Sequence, residues 1–341
     1  MRLLRRGLNT LAATAEVRGI GLHSGASSHV RLRPATAACG IYFVRTDGNH
    51  QVKISARLSS VTSTVLSTSI GAEGMSVGTV EHLMAALCGM GIGACRIEVD
   101  APELPVLDGS AAPWVDAIRH AGVTAAADSD ERWYPTNVLA YAANRLGVDS
   151  EPHHQHHQPS ASSSCQAATV HSTLRVEDDQ AWAVAIPARS PKVTVGVEFC
   201  AHPMIGRQWA SWTPASDDGG SHSDFADFGS TFAAEVAPAR TFALAEQLEM
   251  LKERGLIRGG SLENALVCDS QRWLNPTPSG QSSPLRFANE PARHKLLDMI
   301  GDLSLLGGGL PCAHIFAFRA GHKLHIDLAR AIDAQRARDS K

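Results

Sequence analysis

His294 and Asp298 stand four residues apart in the stretch Pro291-Ala292-Arg293-His294-Lys295-Leu296-Leu297-Asp298-Met299-Ile300-Gly301-Asp302. An imidazole and a carboxylate at that spacing share one face of a helix, about 6 Å apart at the backbone, and can reach one small dication together. Two ligands do not complete a centre. The third comes from Gly78-Thr79-Val80-Glu81-His82-Leu83-Met84-Ala85-Ala86-Leu87, where an acid and an imidazole are adjacent on a second short apolar helix. His82, His294 and Asp298 would give a zinc ion three protein ligands and leave the fourth position to water, the arrangement of catalytic zinc.

These two helices need a scaffold, and the chain supplies strands before and after each. Between Thr14 and Val44 strands are broken by turns, and Gly19, Gly21 and Gly25 bracket a tight loop that leaves His23 exposed. That loop is no phosphate cradle, since it lacks the Lys-Ser/Thr ending and the long helix that follows one. The β-branched, hydroxyl-rich run 61–70 reads as a single strand ahead of the Glu81-His82 helix. A strand at Cys95–Val99 and a helix at Pro113–Ile118 complete a first α+β domain, residues 1–124.

Residues 125–172 form a linker holding a polar insertion, Glu151 to Ser164, with His153, His154, His156 and His157. Such a composition cannot bury enough apolar surface to fold, and four histidines with nothing to hold them make a poor metal site. From 173 to 341 a second α+β domain begins with three runs read as successive antiparallel strands, 172–176, 182–186 and 192–199. A second polar stretch spans 216–224. An amphipathic helix from Leu244 to Arg254, with Leu248 and Leu251 on its apolar side, ends at Gly255. A strand at 265–268, the His294 helix, a strand at 314–318, a turn holding Gly321-His322 and a C-terminal helix follow.

The chain's 341 residues, 44% of them hydrophobic, suit two domains with sizeable cores. A net charge of −3 and an aromatic content of 5% leave neither a basic footprint nor stacking platforms for nucleic acid. Seven widely spaced cysteines without a C-x-x-C pair argue against a disulfide framework or thiolate zinc, and fit a reducing compartment. No apolar run approaches the roughly 20 residues that span a bilayer. The expected location is the cytoplasm, with a mitochondrial or other organelle matrix as the alternative, because Met1-Arg2-Leu3-Leu4-Arg5-Arg6 is basic and acid-free like the stub of a transit peptide. Nothing signals an oligomer.

With both helical motifs in place, the chain resembles the zinc-dependent UDP-3-O-acyl-N-acetylglucosamine deacetylases of lipid A biosynthesis. The resemblance runs in order through Gly19-Ile20-Gly21-Leu22-His23-Ser24-Gly25, Thr79-Val80-Glu81-His82-Leu83, Ala101-Pro102-Glu103-Leu104-Pro105, Asp108-Gly109-Ser110-Ala111-Ala112-Pro113, Ala239-Arg240-Thr241-Phe242, His294-Lys295-x-Leu297-Asp298, Gly301-Asp302-Leu303 and Gly321-His322. It covers all but the two polar insertions. It implies an α+β fold of two similar domains, each a sheet layered on helices in a β-α-α-β sandwich, with zinc at their junction. It also implies hydrolysis of the substrate's acetamide, which releases acetate in the committed step of the pathway.

The same resemblance assigns roles. His82, His294 and Asp298 match the zinc ligands, Glu81 the general base and His322 the general acid. Asp302 matches an acid that orients His322, and Thr241 a hydroxyl that helps hold the developing oxyanion. Lys295 matches a cationic substrate contact, Phe242 lines the sugar site with His23 nearby, and Leu248, Ile257 and Val267 fall where an apolar passage takes the acyl chain. The family commonly reads Gly-His-x-Leu-Asn-Asn after the acid, whereas this chain reads Gly321-His322-Lys323-Leu324-His325-Ile326. A catalytically degenerate relative that binds zinc and the acylated nucleotide sugar without turnover is therefore the alternative. The two differ in whether Asp302 still pins His322.

Overall fold

The computed structural model describes residues 8–48, 51–127, 168–214, 225–307 and 309–339. The basic start, the histidine-rich insertion and the second polar stretch noted above lie largely outside them. The first part of the chain runs β1 (Asn9–Leu11), β2 (Ala15–Ile20), β3 (Ser27–Arg33), β4 (Ile41–Arg45), β5 (Val52–Ser55), β6 (Val61–Ser63), β7 (Ser69–Ala72) and β8 (Met75–Val77). Helix α1 (Glu81–Gly89), β9 (Cys95–Val99), α2 (Ala112–Ala121) and β10 (Val123–Ala125) follow. The second part runs β11 (Leu174–Asp178), β12 (Ala181–Pro187), β13 (Lys192–Phe199), β14 (Gly206–Trp212), α3 (Phe225–Glu235), β15 (Phe242–Leu244) and α4 (Ala245–Glu253). It ends with β16 (Leu266–Cys268), α5 (Glu290–Ser304), β17 (Ala313–Phe318) and α6 (His322–Asp339).

Two five-stranded sheets share one topology. Their orders are β2-β3-β9-β4-β5 and β11-β12-β17-β13-β14. In each, the last strand in sequence inserts at the centre, antiparallel to one hairpin (β9 on β3, β17 on β12) and parallel to the other (β9 on β4, β17 on β13). Each inserted strand follows one helix and precedes another, α1 and α2 around β9, α5 and α6 around β17. The fold is α+β with an internal repeat, as expected.

Strand alternation supplies the core. In β3 Ser28, Val30 and Leu32 point inward, in β17 Ala313, Ile315 and Ala317, each alternating with more exposed neighbours. Helix α1 is apolar from Leu83 onward and nearly wholly buried, its two polar residues, Glu81 and His82, included. Its partner is α5, and the two lie so close that a Cβ on Gly301 would sit 2.1 Å from the Glu81 carbonyl oxygen. Only glycine permits that approach, which sets the two site-bearing helices against each other.

Three sequence expectations are corrected. Residues 61–70 are not one strand: β6 and β7 form a hairpin, with Leu66 in the left-handed region at φ 65°. The runs at 174–199 are not successive neighbours, because β17 lies between β12 and β13, a long-range pairing that local alternation does not encode. And His322 is not in a turn but is the first residue of α6. Leu248 and Leu251 face inward on α4 only to the extent of being half-buried.

Candidate active site

The first turn of α1 carries Glu81 and His82, both buried. On α5, His294, Asp298 and Asp302 recur every four residues and form one buried stripe facing α1. The Nε2 atoms of His82 and His294 lie 3.6 and 3.4 Å from Asp298 Oδ1. The two imidazole rings meet edge to face at 5.0 Å. The ligating atoms of all three residues fall within 4.8 Å of one another.

The donor set fits a dication. His294 Nδ1 donates to the Ala239 carbonyl at 3.0 Å, and a carbonyl only accepts, so the proton sits on Nδ1 and the Nε2 lone pair faces the cluster. Burial pushes His294 down to about 3, so the ring is neutral, the form that ligates. Burial would raise Asp298, but the Lys295 ammonium beside it outweighs burial and holds it well below the usual carboxylate range. Its Oδ2 accepts from Lys295 Nζ at 2.8 Å, while its Oδ1 is buried with no hydrogen-bond partner. A buried anionic oxygen left unpaired between two imidazole nitrogens is what a bound cation would satisfy.

Beside this group stands an acid–base pair. His322 Nε2 is 3.9 Å from Glu81 Oε1, and its Nδ1 donates to Asp302 Oδ2 at 2.9 Å. Burial disfavours the charged His322 ring, yet Asp302 and Glu81 overcome it and raise it to about 9. Burial raises Glu81 as well, partly offset by His322 and His82. A carboxylate that takes a proton readily and an imidazole that holds one thus face each other beside the cluster.

Asp302 is the fixed point behind the pair. Its Oδ1 accepts the Thr68 hydroxyl at 2.5 Å, and its Oδ2 accepts a second imidazole, His325 Nδ1, at 2.8 Å. Thr68 also donates its backbone N–H to Glu81 Oε2 at 3.1 Å. One residue therefore holds both the acid at 81 and the acid behind His322. Neither Thr68 nor His325 was picked out by sequence reasoning. A signal existed for His325, which is three residues from His322 on one helix, but Thr68 sat in a run read as strand.

Thr241 and Phe242 follow closely on Ala239, whose carbonyl orients His294. Phe242 reaches the site through Lys295, whose Nζ lies 5.8 Å from the ring. Thr241 is fixed by its N–H on the Gly109 carbonyl at 2.8 Å and by its own carbonyl, which receives Leu266 N–H at 2.8 Å. Gly109, at φ 85°, allows this because a Cβ there would stand 2.2 Å from the Asn264 carbonyl oxygen. Arg240 pairs with the buried Glu290 at 2.9 Å, which ties the Ala239–Phe242 segment to the start of α5 and so places the carbonyl that orients His294.

His23, Leu248, Ile257 and Val267 are the second group of candidates, and among the described residues the structure records no contact that joins all four. His23 donates from Nδ1 to the Leu256 carbonyl at 3.0 Å, and Leu22 receives the N–H groups of Arg258 and Gly259. The loop itself is held by Glu103, whose carboxylate accepts from the backbone of His23 and Ser24 and from the Ser24 and Thr79 hydroxyls. Leu248 and Ile257 are half-buried, and Val267 is buried with its N–H on Asn275.

An α+β chain of duplicated topology, whose paired helices set a His/His/Asp group beside a proton-taking carboxylate and a protonated imidazole, has the site of a metal-assisted hydrolase. Residues 8–160 and 153–334 match the sequence profile of the family described as UDP-3-O-acyl N-acetylglycosamine deacetylase. A Nostoc protein named UDP-3-O-acyl-N-acetylglucosamine deacetylase is 43% identical over 324 residues, covering 95% of this chain and 97% of that protein. One of the same name from Thermosynechococcus vestitus is 44% identical over 327 residues, 96% of this chain and 94% of that protein. An Arabidopsis thaliana protein named probable UDP-3-O-acyl-N-acetylglucosamine deacetylase 1, mitochondrial, is 37% identical over 333 residues, 94% of this chain and 86% of that protein. The chain belongs to the UDP-3-O-acyl N-acetylglycosamine deacetylase family. Among the described residues no helix is long and apolar enough to cross a membrane.

Proposed function

We propose that the chain hydrolyses the acetamide of UDP-3-O-acyl-N-acetylglucosamine to the free amine and acetate, the committed step of lipid A biosynthesis. The observation that carries this reading is the 3.9 Å opposition of Glu81 and His322 beside the buried His82, His294 and Asp298 group. Those three residues would hold zinc, which when bound supplies Lewis-acid polarisation and a more acidic water.

The chain's own groups supply the rest. Glu81 takes a proton from the attacking water as the C–O bond forms at the amide carbon. The Thr241 hydroxyl donates to the oxygen that gains charge. His322, protonated because Asp302 and Glu81 favour its cation, gives its Nε2 proton to the amide nitrogen, and the C–N bond breaks to leave amine and acetate. Lys295 and Phe242 hold the sugar end with His23, and Leu248, Ile257 and Val267 border the acyl chain. The matching plant relatives named mitochondrial support an organelle matrix if the chain is eukaryotic, and the cytoplasm otherwise.

The rival reading, binding without turnover, depends on a loosened His322. The 2.9 Å bond from His322 to Asp302 favours turnover. The test is acetate release from the acylated nucleotide sugar by purified protein: a chelator abolishes it and zinc restores it. Protein that binds zinc and nucleotide sugar but releases no acetate makes the rival the better account.

A further inference from the structure

The C-terminal helix brings a second imidazole to the carboxylate that holds His322. His325 is fully buried, and its Nδ1 lies 2.8 Å from Asp302 Oδ2, the oxygen that His322 Nδ1 meets at 2.9 Å. An ionised carboxylate only accepts, so both imidazoles carry their protons on Nδ1. With the Thr68 hydroxyl on Oδ1, three donors fix the plane of Asp302.

We propose that His325 is a positioning residue: by donating to the oxygen that also receives His322, it fixes the orientation of Asp302 and hence the tautomer and direction with which His322 Nε2 meets the site. This rests on the reading of His322 as the proton donor. A packing role does not account for the residue. Its neighbours on the buried face, Leu324, Ile326 and Leu328, are aliphatic, and leucine would fill the slot without burying a nitrogen. His325 Nε2 is buried with no hydrogen-bond partner, so the Asp302 bond is the return on keeping an imidazole there. The titratable groups facing His322 are Glu81 from α1, Asp298 and Asp302 from α5, and His325 on its own helix. Lys323 pairs outward with Asp178 and Asp327.

The test compares His325→Asn, whose amide N–H can stand where Nδ1–H stood, with His325→Leu, which fills the slot without a donor. Imidazole 15N spectra of the substrate-free protein should show the His322 Nδ1–H signal, shielded from solvent exchange, in wild type and His325→Asn, and lose it in His325→Leu. In acetate release His325→Asn should stay within about threefold of wild type, while His325→Leu should drop kcat about tenfold at unchanged KM and move the basic limb of the pH profile downward, because a loosened Asp302 holds the His322 proton less firmly. Equal losses in both variants, wild-type spectra and pH profile in His325→Leu, or a His325→Leu protein that does not fold would overturn the proposal, because each makes the residue structural or idle. The spectra decide the matter even if wild type releases no acetate, which would instead count against the proposed activity.

Discussion

Glu81 Oε1 and His322 Nε2 face each other at 3.9 Å, and Thr68 is bonded both to Glu81 and to Asp302, the carboxylate behind the imidazole. The acid and the base are therefore supported by one shared residue, through its backbone N–H on one side and its hydroxyl on the other. Each consequence of that layout can be measured.

Thr68→Val removes the hydroxyl from Asp302 but keeps the backbone N–H on Glu81. Its kcat should fall about tenfold with KM little changed, and Thr68→Ser should restore most of the loss. Steady-state kinetics of the pair check this; equal losses in both variants would point to packing at a fully buried position.

Gly301→Ala drives a methyl group into the Glu81 carbonyl, 2.1 Å away in the present backbone. Separating α1 from α5 should cost about 1–3 kcal/mol in urea unfolding, and kcat should fall as well because Glu81 moves with its helix. An alanine variant as stable and active as wild type would show that the helices can part without consequence.

His322, raised to about 9 in the fold against about 6.5 for a free imidazole, makes stability depend on pH. A group raised on folding adds stability that is complete below its unfolded value and lost as pH rises through its folded one. His294, pushed down to about 3, acts below the ordinary imidazole range. Burial pushes the Cys88 and Cys95 thiols up to about 12, so they act only from the ordinary thiol value upward, and in wild type and a His322 variant alike. The difference between those two proteins above pH 7 therefore reports His322. Unfolding of chelator-treated protein should show wild type losing its advantage over His322→Gln between pH 7 and about 9.5. An advantage that does not change across that window would contradict the charge assignment.

Asp298→Ala removes the unpaired oxygen that joins two imidazoles, and zinc content after dialysis should fall from one per chain to well below one. His23→Ala, in the second group, should leave zinc content unchanged. Metal analysis of the two proteins separates ligands from substrate contacts.

Much of this centre is legible in the residues themselves. His294 and Asp298 four apart in an apolar helical pattern, and Glu81-His82 opening another, announce ligands on helices, because helical spacing is local. What sequence could not deliver is long-range. The insertion of β17 between β12 and β13 depends on a pairing across more than a hundred residues. Thr68 reaches Asp302 only because the chain turns at Leu66, where β-branched neighbours suggest straight strand. The replacement of an expected asparagine by His325 looked like a loss of support for His322, and the structure shows another donor in that place.

The most direct test of the account is the pH dependence of acetate release by zinc-loaded wild type, Glu81→Gln and His322→Gln. The account predicts a bell-shaped kcat/KM for wild type, a loss of a hundredfold or so in each variant, and the disappearance of the acid limb with Glu81 and of the basic limb with His322. Variants that keep wild-type rates, or a profile whose limbs survive both substitutions, would contradict it.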